Sequence, residues 1–476
     1  MAMTDSNLGK RIGGAAKVVA ISLAIVLLVL AYYLWSYGPV DHLERALAGE
    51  ESLHPGTVWQ QTLSRFAAAI DGQRGVFTDF IWHYRPAGIM IYATGLPGYK
   101  FFYSAFFALS LAPLGRIPIA EAAKVWAWIQ LAAIVLLVLV PGLYFLQRSR
   151  RGYYLYLVLT LLSLPVLHNL MWGQVSVPMI VCMLGALCFY VRGGKVGAAA
   201  LLALATSIKF YPAVLAIYFV ARREFKLLAM FAAWTIVFLV AIPAARLGGE
   251  GLVKFQRASN EAMGRVRNNA RIDGNSQYLP HVAMRYLKVK DPLNTDPRGF
   301  RMLAYGLFGA NVLLLCGVLW AGLEDPAETG FALLLLSTPL IVQTSWPHYF
   351  VYLPFCQVFA WQLLGRRCTD ARAVLQYGLL GVSAVLSSSV FFNWFGDFSG
   401  YSWYGCLFWS NMLVAAVLYV ELVPRVVQSL RGERRQAATP DNVTMCNGST
   451  GMAMVANSLA EPCHPEPTHE IPVETV

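Results

Sequence analysis

The strongest constraint on this chain is a succession of apolar segments running almost from end to end. The first, Val18 to Tyr37, follows a polar start carrying Lys10, Arg11 and Lys17. At about 1.5 Å per residue it reaches across a ~30 Å hydrocarbon core. Further segments cover 99–115, 125–147, 153–170, 176–191, 196–208, 211–222, 227–246, 301–321, 329–346, 349–365, 373–392 and 404–424. Charged residues make up only 13% of the 476 positions and hydrophobic ones 57%, whereas soluble domains carry roughly 25% charged residues. Such a chain cannot cover a water-facing surface. This excludes an ordinary soluble enzyme, a disordered chain, a coiled coil and a secreted disulfide scaffold. The apolar runs are continuous rather than alternating, which excludes a transmembrane β-barrel. The fold class is an all-α polytopic membrane protein, with about 12 transmembrane helices and two long external loops.

The net charge of +11 comes from 37 Lys plus Arg against 26 Asp plus Glu. Most of the basic residues flank apolar segments in short loops, the pattern of cytoplasmic loops, so the excess reads as topology and not as affinity for nucleic acid. The flanks Lys10/Arg11, Arg148/Arg150/Arg151, Arg192/Lys195, Arg222/Arg223/Lys226, Arg366/Arg367 and Arg425/Arg431 all favour the cytoplasm. That assignment needs an even number of crossings, but the segments are odd in number. Either 99–115, bounded by Pro97, Gly98 and Pro113, does not cross, or it does, the Arg148 cluster lies outside against the rule, and 196–208 and 211–222 cross once between them. Both solutions leave 39–98 and 247–300 external. The chain divides into a cytoplasmic start at 1–17, a membrane domain at 18–425 and a cytoplasmic, largely disordered tail at 426–476. In the first loop, Trp59, Leu63, Phe66 and Ile70 recur at helical spacing and suggest an amphipathic helix on the membrane face. None of the eight cysteines pairs with another at metal-ligand spacing, and no disulfide framework is visible.

Polar groups gather at segment ends. Asp79 stands among Phe77, Phe80 and Trp82. It is either a helix cap or solvated loop acid, or a partly desolvated base; aromatic neighbours raise its pKa and a nearby cation lowers it. Trp172-Gly173-Gln174, preceded by His168 and Asn169, is either an interfacial turn or the wall of a cavity. Lys209-Phe210-Tyr211-Pro212 places an ammonium between apolar stretches, where it either snorkels to the interface or holds a lipid phosphate. The second loop carries Arg265, Arg267, Arg271, Asp273 and Asn275. An external cluster of this kind asks for an anionic partner, either headgroups or a phosphorylated substrate. His348, in Ser345-Trp-Pro-His-Tyr349, is either a satisfied interfacial side chain or part of an external site. No phosphate-binding loop or dinucleotide fingerprint occurs, so a substrate has to arrive from the membrane.

The order Asp79-Phe80, Tyr99 to Gly115, Trp172-Gly-Gln174-Val-Ser176, Ile208-Lys-Phe-Tyr-Pro212, Gly274-Asn-Ser-Gln-Tyr278 and Ser345-Trp-Pro-His-Tyr349 resembles glycosyltransferase family 87. These are polyprenol-phosphate-mannose-dependent mannosyltransferases of the GT-C fold, and the resemblance covers residues 75 to 365 or so. It implies an integral enzyme of the plasma membrane that takes a sugar, typically mannose, from a polyprenyl phosphate carrier on the outer face. It places the catalytic base on Asp79 and matches Lys209, Tyr211 and Pro212 to the Lys-x-Tyr-Pro motif and Gly173 and Gln174 to the Gly-Gln motif. The chain departs from the family at Tyr349, where a second His is common, at Tyr103-Ser-Ala, where Tyr-x-Pro-Pro is, and at Ser176, where an Asn is.

Chemistry and resemblance meet here. A sugar leaving a phosphodiester departs from a good leaving group, so one basic carboxylate suffices where a glycosidase needs two. The expected site comprises Asp79 and His348 as catalytic groups, with Lys209, Tyr211, Gln174, Arg265, Arg267, Arg271 and Asn275 binding the donor. The acceptor is a lipid or glycan hydroxyl, and the scheme calls for no metal or cofactor. Two other classes compete: a transporter or flippase for a lipid-linked sugar, and a membrane acyltransferase using His348.

Overall fold

The computed structural model describes residues 77–98, 100–365, 371–395 and 398–432. The expected crossing at 18–37, the amphipathic stretch at 57–70 and the tail beyond 432 lie outside the described residues. Helices dominate the described chain, and the one β-bridge there pairs Ser163 with Ser388.

Among the described residues, four helices are long and apolar enough to cross a membrane: Ile119–Gly142, Phe225–Asn269, Arg298–Trp320 and Cys406–Leu430. The first begins after Pro118 and continues to Arg148, 30 residues in all. Shorter apolar helices fill in between them, among them Ser176–Val191, Lys195–Ile208 and Ala371–Leu386. Ala105–Gly115 has 11 residues, which at about 1.5 Å per residue covers roughly half of a hydrocarbon core.

Several apolar segments are not single helices. The stretch 153–170 divides into Arg150–Leu161 and Leu164–Trp172, and 373–392 divides into Ala371–Leu386 and Ser389–Phe395. The two breaks meet. Leu164 N donates to Ser387 O at 2.9 Å and Ser389 N to Leu162 O at 2.7 Å, so each interruption satisfies backbone groups that the other exposes.

The second expected loop, 247–300, is also largely helical. The helix from Phe225 runs through a π turn at Val237–Ala241 into Ile242–Asn269, kinked at Gly248 (φ 71°). Its first half is apolar and exposed, with Leu227 the buried residue of Phe225–Ile236 and Trp234, Ile236 and Val240 facing outward. Beyond the kink it turns amphipathic. Phe255, Ser259 and Ala262 are buried, and Ser259 Oγ donates to Tyr103 O at 2.9 Å. This half roofs a cavity walled by residues just after Phe77. A second helix, Leu279–Tyr286, follows.

Part of the basic excess is consumed inside the protein. Arg148 bridges Asp325 at 2.8 Å and Glu328 at 2.9 Å, and Lys195 pairs with Glu224 at 2.8 Å. Two apolar clusters hold the helices around the cavity. The larger joins Ser176–Val191, Lys195–Ile208, Pro326–Leu336 and Leu353–Leu364. The other gathers Phe77, Phe80, Tyr84, Phe101, Tyr103, Phe107 and Trp126 beneath the roofing helix.

Candidate active site

Asp79 sits at the start of a π turn, Phe80–Tyr84, that passes directly into Arg85–Ala93. Its carboxylate makes no capping hydrogen bond, so the reading of Asp79 as a helix cap falls away. Instead it accepts a hydrogen bond from Gln174 Nε2 and lies 3.8 Å from His83 Nε2, one turn along. Gln174 is held in turn: its Oε1 accepts from Tyr84 OH at 2.6 Å, and its backbone carbonyl accepts from Gln130 Nε2 at 2.7 Å. Asn169 Nδ2 donates to Gln130 Oε1 at 2.8 Å. The polar break at 168–174 is therefore a wall built to carry Gln174 to the acid.

Gly173 permits this approach. It takes φ 63° as the C-cap of Leu164–Trp172, and a Cβ there would lie 2.7 Å from Phe77 Cβ and 3.2 Å from Phe80 Cβ. Only glycine fits both the left-handed backbone and the contact. Trp126 Nε1 donates to Gly173 O at 2.9 Å while its ring stacks on Phe80 at 4.8 Å, clamping the turn. Burial pushes the Asp79 carboxyl above its ordinary value, against the opposing pull of His83, Gln174 and Lys209.

Lys209 leaves the end of Lys195–Ile208 in an extended conformation and is buried. Its Nζ has no hydrogen-bond partner among the described residues. It lies 4.3 Å from the centre of the Tyr349 ring and 5.2 Å from that of Tyr103. Burial lowers its pKa to about 7, resisted by Asp79. His348 is buried as well, stacked on His168 at 5.5 Å, and neither ring nitrogen has a partner among the described residues. Burial, then the charge of Lys209, pushes it well below the usual histidine range and keeps it neutral.

These groups line two adjoining cavities. One, of about 270 Å³, is bordered by Asp79, His83, Gln174, Asp273, Asn275 and His348. The other, of about 410 Å³, is bordered by Lys209, Tyr211, Arg267, Tyr305, Thr344 and Tyr349. Phe102 lines both. An acid on one side and an unpaired buried ammonium on the other, separated by aromatic rings, can divide a substrate into a reacting end and an anionic end.

Sequence reasoning locates Asp79, Gln174, Lys209, Tyr211, Arg267, Asn275 and His348, and the structure brings all of them to these two cavities. Arg265 is exposed and lines neither cavity. Arg271 is turned to other use, donating from Nη1 to Leu293 O at 2.9 Å. His348 shares the Asp79 cavity but makes no hydrogen bond to the acid; the histidine beside it is His83. His83, Tyr84, Tyr103 and Trp346 also belong to the site. The local signals are the i,i+4 spacing of Asp79 and His83 and the place of Trp346 in the Ser345-Trp-Pro-His motif. Among the described residues no group of three His, Cys, Asp or Glu side chains converges as metal ligands would.

No curated protein and no solved structure matches the chain. The family model for glycosyltransferase family 87 matches residues 101–344, more than half of the 476 positions. The match takes in Gln174, Lys209, Arg267 and Asn275, while Asp79 and His348 lie outside the matched residues. Apolar helices long enough to cross a bilayer and a family of sugar-transferring enzymes make one conclusion: the chain belongs to glycosyltransferase family 87 and is a membrane glycosyltransferase.

Proposed function

We propose that the protein is an inverting glycosyltransferase that moves a sugar, mannose by the family resemblance, from a polyprenyl phosphate to an acceptor hydroxyl on the outer face of the plasma membrane. The observation that carries this reading is the pairing of an acid and an unpaired, buried ammonium across adjoining cavities. Asp79 takes the proton of the acceptor hydroxyl as its oxygen attacks the anomeric carbon. The bond from that carbon to the phosphate oxygen breaks, and polyprenyl phosphate leaves with the electron pair. One displacement at the anomeric carbon inverts it. Lys209 and Arg267 hold the phosphate and stabilise the charge it gains. His348, neutral and unpaired, offers a hydrogen bond to a substrate oxygen. The acceptor is a lipid-borne or glycan hydroxyl entering the Asp79 cavity.

Purified protein incubated with radiolabelled polyprenyl-phosphate-mannose and a total lipid extract tests this. Transfer of label to a lipid or glycan with inverted anomeric configuration is expected. Lipid scrambling without transfer or donor hydrolysis identifies a flippase, and dependence on an acyl donor identifies an acyltransferase; either result overturns the proposal.

A further inference from the structure

Trp346 stands where the two cavities meet, and no step of the transfer calls on it. Its partly buried indole lines the Asp79 cavity, with its centroid 6.1 Å from that of Phe102, the residue common to both cavities. It lies 5.9 Å from His348 and 6.3 Å from Tyr349, the ring beneath the Lys209 ammonium. Asp273 holds it: Oδ2 accepts from Trp346 Nε1 at 3.2 Å, while Oδ1 accepts from Asn275 N at 2.9 Å. Both carboxylate oxygens of Asp273 are thus engaged within the protein. This makes Asp273 an anchor for the indole, and a weak competitor of Asp79 for an acceptor proton.

A rigid aromatic face beside unpaired hydrogen-bonding groups suits a sugar ring. The C–H groups on one face of a pyranose carry slight positive charge and rest against the negative face of an indole. The hydroxyls at the ring edge need directed partners, and His348 presents two ring nitrogens with none among the described residues. We propose that the transferred sugar lies against Trp346, that Asp273 is the positioning residue that fixes this platform, and that the pair sets which sugar the enzyme takes. The inference rests on the reading of the donor as a polyprenyl-phosphate sugar.

The test measures binding of radiolabelled short-chain polyprenyl phosphate, bare or carrying mannose, glucose or arabinose, to the purified full-length protein. Wild type is expected to bind one glycosylated lipid more tightly than the bare one. Trp346→Leu should reduce that preference about tenfold, the worth of one aromatic face, and leave binding of the bare lipid unchanged. That retained binding shows the variant to be folded. Asp273→Ala should reduce the preference too, and Asp273→Asn should reduce it less, because its single amide oxygen can still accept from the indole but only by giving up Asn275 N. Full preference in Trp346→Leu, or equal loss of bare and glycosylated lipid, overturns the platform and leaves the donor class standing. A wild-type protein that binds none of these lipids overturns the donor class, and the platform with it.

Discussion

The amide of Gln174 donates to the Asp79 carboxylate and, through its oxygen, accepts from Tyr84 OH at 2.6 Å. The tyrosine fixes which way the amide points, so the acid always meets a donor. Gln174→Leu removes the amide donor from Asp79 and leaves the carboxylate short of a partner, while Tyr84 OH keeps Tyr103 OH at 2.8 Å, at a cost of about 1–3 kcal/mol. The expected result is a rate lowered about tenfold or more with little change in donor affinity. Gln174→Glu places a like charge beside Asp79 and raises its pKa further, so the acid limb of the pH–rate profile should move upward. Steady-state kinetics of the two variants across pH checks both.

Gly173→Ala tests the wall itself. A methyl group at φ 63° would lie 2.7 Å from Phe77 Cβ. The strained backbone alone costs about 1–3 kcal/mol, and the turn bearing Asp79 has to move. A lower unfolding temperature together with lost activity is expected. Thermal unfolding in detergent, read beside the transfer assay, measures it.

The two titrating groups predict a bell-shaped dependence of kcat/KM on pH. Asp79 works deprotonated, and burial raises its pKa, so the rate climbs as pH rises through a value above the usual carboxylate range. Lys209 holds phosphate only when protonated, and its pKa lies at about 7, so the rate falls again as pH rises past neutrality. Lys209→Arg keeps the cation at every accessible pH and should abolish the alkaline limb even where it weakens binding. A profile flat on the alkaline side in the wild type contradicts the role of Lys209.

The membrane class and the polar breaks are legible in the sequence because each is local: a run of apolar residues, or a Lys or Gln between two of them. The roofing helix is not. Residues 248–269 are polar enough to resemble a loop, and only the buried spacing of Phe255, Ser259 and Ala262 marks the packed face. The broken helices at Ser163 and Ser388 are hidden because each break is satisfied by the other, far along the chain. The same holds for Trp346, whose anchor Asp273 lies 73 positions away. Charge alone singles out Arg265, Arg267 and Arg271, but the rotation of the helix decides between the first two, and Arg271 lies past its end.

That rotation yields a contrast. Arg265 and Arg267 stand two positions apart on one helix, about 200° around its axis, and only Arg267 lines the Lys209 cavity. Arg267→Ala should raise the KM for the lipid donor about tenfold, as loss of a charge-assisted phosphate contact does, whereas Arg265→Ala should leave it unchanged. Donor titrations of the two variants under one set of conditions separate them.

Asp79→Asn bears most directly on the chemistry. The amide keeps the size of the side chain and removes its capacity to take a proton, so turnover should fall at least about 100-fold. Binding of polyprenyl-phosphate-mannose, measured on the same preparation, should stay at the wild-type level and show that the variant is folded. A variant that binds donor normally and retains more than about a tenth of the wild-type rate contradicts Asp79 as the base.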